Sequence, residues 1–131
     1  MPKILLVEDN EASADALARR LERRNFSVVI APDGHQAVSL ARLEQPDLVI
    51  MDLGLPGIDG WDATAIIKAD TDTGHIPIIV LSAHAMPNDR HQALAAGGDD
   101  FDTKPVQFER LLEKIEMLLT TRGVSASASD I

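Results

Sequence analysis

The stretch Leu48-Val49-Ile50-Met51-Asp52, running on into Leu53-Gly54-Leu55-Pro56-Gly57-Ile58-Asp59-Gly60, decides the fold. Four apolar residues in unbroken succession fit a strand covered on both faces, as in a parallel sheet, rather than one with a wet face. The run stops on a carboxylate, and a Gly/Pro loop then carries the chain to Gly60. Three other runs share the pattern: Ile4-Leu5-Leu6-Val7, Val28-Val29-Ile30 and Ile78-Ile79-Val80-Leu81. Helical patterns separate the first three. From Glu11 to about Arg24, Ala14, Leu17, Ala18 and Leu21 recur at i, i+3, i+4 and i+7. A turn at Pro32-Asp33-Gly34 leads into a helix near Gln36 to Glu44, and another helix is expected near Trp61 to Ala69. Strand–helix alternation at this period predicts right-handed βαβ crossovers and an α/β layer fold.

Beyond the fourth run the pattern weakens. A helix is expected from about Asn88 to Ala96, stopped by Gly97-Gly98. Asp100-Phe101-Asp102-Thr103 is a poor strand by propensity and reads as a loop on pattern alone. The last helix is clear, because Phe108, Leu111, Leu112, Ile115, Leu118 and Leu119 form one apolar stripe. Residues 1–122 are expected to form one domain. Residues 123–131, rich in Ser and Ala, are expected to be a disordered tail.

The chain has 131 residues, enough to hide roughly two-thirds of its surface as a single domain. Its net charge of −9 argues against a nucleic-acid or anionic membrane surface as the main partner. Without cysteine there is no disulfide, thiolate metal site or cysteine nucleophile. The N-terminal apolar run is too short for a signal peptide, and no stretch approaches the ~20 residues of a membrane span. A cytoplasmic protein is the expectation.

In a parallel sheet all carboxyl ends lie on one edge, where ligands bind. That edge would gather Glu8-Asp9 after the first strand, Asp52 at the end of the third, Ser82 at the end of the fourth, and Lys104-Pro105 after the doubtful fifth segment. Each has an ordinary explanation taken alone: Asp9 or Asn10 as a helix cap, Asp52 as a turn residue, Lys104 as a surface lysine. Three carboxylates in one crevice nevertheless repel unless a cation or a proton intervenes, and a hard divalent cation such as Mg²⁺ suits such oxygens.

The ordered set Glu8-Asp9, Asp52, Leu55-Pro56 to Asp59-Gly60, Ser82-Ala83 and Lys104-Pro105 resembles the receiver domain of two-component response regulators, the CheY-like family, over about Lys3 to Thr121. The resemblance implies a flavodoxin-like sheet of five parallel strands in order 2-1-3-4-5 with five helices, so that Asp100 to Thr103 becomes the fifth strand. It implies Asp52 as phosphoryl acceptor, taking the group from a histidine kinase or histidine phosphotransferase. Asp9 and Asp52 would ligate Mg²⁺, with Glu8 acting through a metal-bound water and Gly54 offering its backbone carbonyl. Lys104 would place its charge on the phosphoryl oxygens, Ser82 would donate a hydrogen bond, and Pro105 would be a cis-proline that aims Lys104. Phe101 would occupy the aromatic switch position. A downstream protein target would be bound through the fourth helix, fifth strand and last helix. Gly54 and His84 stand where the family's hydrolytic water passes. A stand-alone switch of undetermined oligomeric state is the expectation.

Two other classes compete. A receiver-like binding module that is never phosphorylated is opposed by the complete set of acidic pair, acceptor, hydroxyl and lysine. An aspartyl-phosphate phosphatase of the haloacid-dehalogenase kind wants a second aspartate two residues after the nucleophile, where Gly54 stands. His35, His75 and His91 lack paired ligand spacing. Asp70-Thr71-Asp72-Thr73-Gly74 lacks the closing glutamate of a calcium loop, and no dinucleotide or P-loop glycine motif is present. Arg19, Arg20, Arg23 and Arg24 fall late in the first helix, where the dipole favours cations.

Overall fold

The computed structural model describes residues 1–55, 57–82, 91–92 and 94–121. Five parallel strands form the sheet: β1 (Lys3–Val7), β2 (Ser27–Ala31), β3 (Leu48–Asp52), β4 (Ile78–Ser82) and β5 (Asp100–Thr103). Their order is β2-β1-β3-β4-β5, as expected. Side chains alternate between two apolar layers, which is why the strands read as unbroken runs. Ile4, Leu6, Ile50, Ile79 and Leu81 pack on one side with residues of α1 (Glu11–Glu22) and α4 (Phe108–Thr121). Leu5, Val7, Val49, Met51, Ile78 and Val80 face α2 (Gly34–Glu44) and α3 (Gly60–Ala69).

Four helices, not five, are complete among the described residues. The expected helix from about Asn88 to Ala96 lies largely outside them, although His91, Gln92, Leu94 and Ala95 are helical. The expected stop is present: Gly97 has φ +105° and its N–H donates to the Leu94 carbonyl at 3.0 Å. The first helix ends at Glu22 rather than Arg24, and Asn25 turns the chain with φ +72°. β2 departs from two-sided burial because it is an edge strand; Ile30 is 41% exposed.

β5 forms despite its composition, as the family resemblance implied. Phe101 enters the α2/α3 side of the core, while Arg110 and Lys114 of α4 pair with Asp102 at 2.6 Å and Asp100 at 3.5 Å. Tertiary partners override the local preference. The arginines at and just beyond the end of α1 do more than answer a dipole. Arg20 and Arg24 stand 4.5 and 5.6 Å from the centre of the Phe108 ring, and Arg24 reaches Glu109 at 3.0 Å, fastening α1 to α4.

The strand registers align the carboxyl ends. Val7 pairs with Met51, Asp52 with Leu81, and Ser82 with Thr103. The residues that follow each strand therefore emerge on one rim.

Candidate functional site

Helix caps decide which side chains face the rim. Asn10 caps α1, its side-chain Oδ1 accepting from the Ser13 N–H at 2.9 Å, so the Asp9 carboxylate stays outside the cap and exposed. Glu8 continues past β1, its N–H donating to the Ala31 carbonyl at 3.0 Å. Glu8 is buried at 8% exposure, with Oε2 accepting from the Asn10 N–H at 3.1 Å. Asp52 closes β3 at 5% exposure, and its Oδ1 accepts from the Gly54 N–H at 3.1 Å.

The loop after Asp52 returns to it closely. Asp59 caps α3 by accepting from the Asp62 N–H at 2.9 Å. At the next residue, Gly60, a Cβ would collide with the Asp52 carbonyl oxygen and stand 2.8 Å from the Leu53 Cα. Glycine is required there because the helix start presses on the acceptor strand's end. Trp61 follows and lines the cleft beside Asp52, Leu53 and Gly54.

From the other side of the cleft, the Lys104 N–H donates to the Ser82 carbonyl at 2.8 Å, extending the β4–β5 ladder by one step. The Lys104–Pro105 peptide is cis. The Lys104 ammonium lies 3.0 Å from Asp52 Oδ2 and 3.2 Å from Glu8 Oε1. Ser82, 3% exposed, also lines the cleft.

One oxygen from each of Glu8, Asp9 and Asp52 lies within 4.8 Å of the other two. Against these three carboxylates the cluster sets one ammonium, so ionised it is short of positive charge. Burial raises the Glu8 pKa above its ordinary value, the nearby Asp52 adds to the rise, and the Asn10 amide and Lys104 oppose it. Burial disfavours the Lys104 ammonium, but Asp52 and then Glu8 outweigh it and carry its pKa upward. The donor set fits a small hard cation: it is all oxygen, and its atoms are gathered to within 4.8 Å of one another.

The rim thus brings together Glu8, Asp9, Asp52, Gly54, Ser82 and Lys104, the residues expected there. Phe101 does not join them; it is a core residue at 6% exposure, paired in register with Val80. Pro56 and His84 lie outside the described residues. Sequence reasoning left the cap of α1 open between Asp9 and Asn10, and it missed Trp61 as a residue of the cleft. The available signal for Trp61 was a lone tryptophan directly after the Asp59-Gly60 helix start.

Residues 4–116 match the model of the response regulator receiver domain. The chain belongs to this family, the receiver domains of two-component signalling. It is 36% identical over 119 residues to protein PilH of Pseudomonas aeruginosa, covering 91% of this chain and 98% of PilH. It is also 36% identical over 119 residues to the DNA-binding dual master transcriptional regulator RpaA of Synechocystis, covering 91% of this chain but 49% of RpaA. The chain therefore spans all but a few residues of one relative and about half of the other. Among solved structures, the receiver domain of a sensor histidine kinase from Pseudomonas aeruginosa, with a magnesium ion coordinated in its active-site cleft, matches with TM-score 0.84 and 34% identity. That match covers 91% of this chain and 98% of the other. Among the described residues no helix is long and apolar enough to cross a membrane.

Proposed function

We propose that this protein is a phosphoryl-accepting switch in which Asp52 is the nucleophile. The observation that carries the proposal is the state of the Asp52 carboxylate. It sits at a strand end in an open cleft, held by the Gly54 amide on one oxygen and the Lys104 ammonium on the other. In the reaction an Asp52 oxygen forms a bond to phosphorus while the bond from phosphorus to the donor breaks, its electron pair leaving with the donor. The donor is a phosphohistidine on a kinase or a histidine phosphotransferase, which regains a neutral imidazole.

Glu8, Asp9 and Asp52, with the backbone carbonyl of Gly54, would hold Mg²⁺. The ion supplies neutralisation of the charge on the phosphoryl oxygens. Lys104 already touches the acceptor and would turn its ammonium to the same oxygens. Ser82 would donate its hydroxyl to them. Phosphorylation adds about −1.5 to −2 of charge, which local groups must answer. Phe101 would rotate with that response and reshape the surface of β5 and α4, where a downstream protein binds. The near-full coverage of PilH and the half coverage of RpaA, at the same identity, fit a receiver that stands alone and one within a longer regulator equally.

The test is incubation with Mg²⁺ and acetyl phosphate, followed by intact-mass measurement. A hydroxylamine-sensitive phosphoryl adduct, absent in Asp52→Asn, supports the switch. Multiple turnover of unrelated phosphoesters would point to a phosphatase, and the absence of any adduct to a passive binding module.

A further inference from the structure

The aromatic residues of this chain divide sharply. Phe26, Phe101 and Phe108 are buried in the two core layers. Trp61, the single tryptophan, is only half-buried. It packs in part on the α2/α3 core layer and also lines the cleft that holds Asp52.

The two walls of that cleft differ in chemistry. Glu8, Asp9, Asn10, Ser13 and Lys104 contribute carboxylates, an amide, a hydroxyl and an ammonium. The segment after β3 and the start of α3 contribute Leu53, Gly54 and Trp61. Gly54 has no side chain, and among the described residues a Cβ built there would meet only Asp52 Oδ1, at 3.9 Å. Among the described residues, the space beside the acceptor carboxylate is therefore open where a side chain could have closed it. Trp61 lines the same cleft as Gly54 and Asp52, and Gly60 lets its helix start so near: the close approach of α3 to the Asp52 carbonyl leaves no room for a Cβ one residue earlier.

We propose that the Trp61 indole is the water-excluding wall of the phosphoryl site and sets the lifetime of the phosphoryl group on Asp52. The inference rests on the acceptor role proposed above for Asp52. The step it controls is hydrolysis. A water oxygen bonds to phosphorus, the bond from phosphorus to the Asp52 oxygen breaks with its electron pair returning to the carboxylate, and a water proton passes to solvent. Hydrogen phosphate leaves. Trp61 takes no part in these bonds. It restricts the water able to enter beside Gly54, and an apolar surface at the gap also leaves an entering water short of hydrogen-bond partners.

The experiment follows first-order loss of ³²P from protein loaded with Mg²⁺ and labelled acetyl phosphate, after donor removal, in wild type, Trp61→Ala and Trp61→Phe. Trp61→Ala should lose the label about tenfold faster, and Trp61→Phe should stay within about threefold of wild type. A second readout separates shielding from a merely structural part: hydroxylamine cleavage of the adduct under native conditions should accelerate in Trp61→Ala along with the hydrolysis. Urea unfolding of each variant with Mg²⁺ verifies that the compared species are folded. An unchanged decay in a folded, labelled Trp61→Ala protein would overturn the inference, as would equal acceleration in both variants with native hydroxylamine cleavage unmoved. A wild-type protein that takes no label at all would instead overturn the acceptor role of Asp52, and the two failures are distinct.

Discussion

Replacing Lys104 with methionine keeps most of the stem and removes the cation that stands 3.0 Å from Asp52 and 3.2 Å from Glu8. With all groups ionised, the ligand cluster then passes from two net negative charges to three. Two opposite consequences follow. Without metal the carboxylates lose their counter-charge, which costs about 1–2 kcal/mol after allowance for solvent at a partly exposed ammonium. With Mg²⁺ the sign reverses, because a dication on oxygens that the ammonium touches is repelled by it. Coulomb's law in a water-like medium puts that repulsion at about 1.5 kcal/mol, or roughly tenfold in affinity. The variant should therefore bind Mg²⁺ more tightly while being less stable in its absence.

Trp61 lines the cleft and is the sole tryptophan, so a MgCl₂ titration of its fluorescence at constant ionic strength reports binding without a label. Urea unfolding with and without Mg²⁺ reports the stability change. Because Asp52 and Glu8 hold the Lys104 pKa above the ordinary lysine value, the ammonium's contribution is complete below that value and lost only as pH rises through the raised one. The difference in affinity should thus be level between about pH 6 and 9. A folded Lys104→Met protein that binds Mg²⁺ no more tightly than wild type would refute the reasoning.

Three further outcomes are expected. Gly60→Ala should cost about 1–3 kcal/mol in urea unfolding, because its methyl meets the Asp52 carbonyl and the Leu53 backbone; wild-type stability would show that α3 can yield. Glu8→Gln should stabilise the metal-free protein at neutral pH, since a raised carboxylate pKa means that the folded state favours the neutral form. For the same reason wild-type Glu8 supports folding below its unfolded pKa and loses that support as pH rises through its folded one, so the variant's stability should depend less on pH there. Lys68→Met should lower stability by about 1–3 kcal/mol by removing the bonds of its ammonium to the Ile76 carbonyl and Asp99, both at 2.9 Å, while Asp52 still takes phosphoryl from acetyl phosphate.

The strands that carry the site were legible where burial on both faces left no polar interruption, as in β1, β3 and β4. β5 was opaque to composition because Asp100 and Asp102 are matched by Lys114 and Arg110, which meet them only once α4 lies against the sheet. Only the spacing of the whole motif set predicted that strand. The rim was readable as a list of strand ends, since register alone brings Asp52 and Ser82 to one edge. Whether Asp9 or Asn10 caps α1 was open in the sequence, because either side chain can accept the amide bond; Asn10 does. Trp61 escaped notice because its place depends on how near Gly60 lets α3 approach, a distance that no residue pattern records.

The central claim concerns a single carboxylate, and borohydride reduction of the phosphorylated protein tests it at the level of the bond. Borohydride converts an aspartyl phosphate to homoserine and leaves free carboxylates untouched. Peptide mapping after loading with Mg²⁺ and acetyl phosphate should find homoserine at position 52. Conversion at Glu8 or Asp9 instead, or at no residue in a protein that carries phosphoryl, would contradict the account.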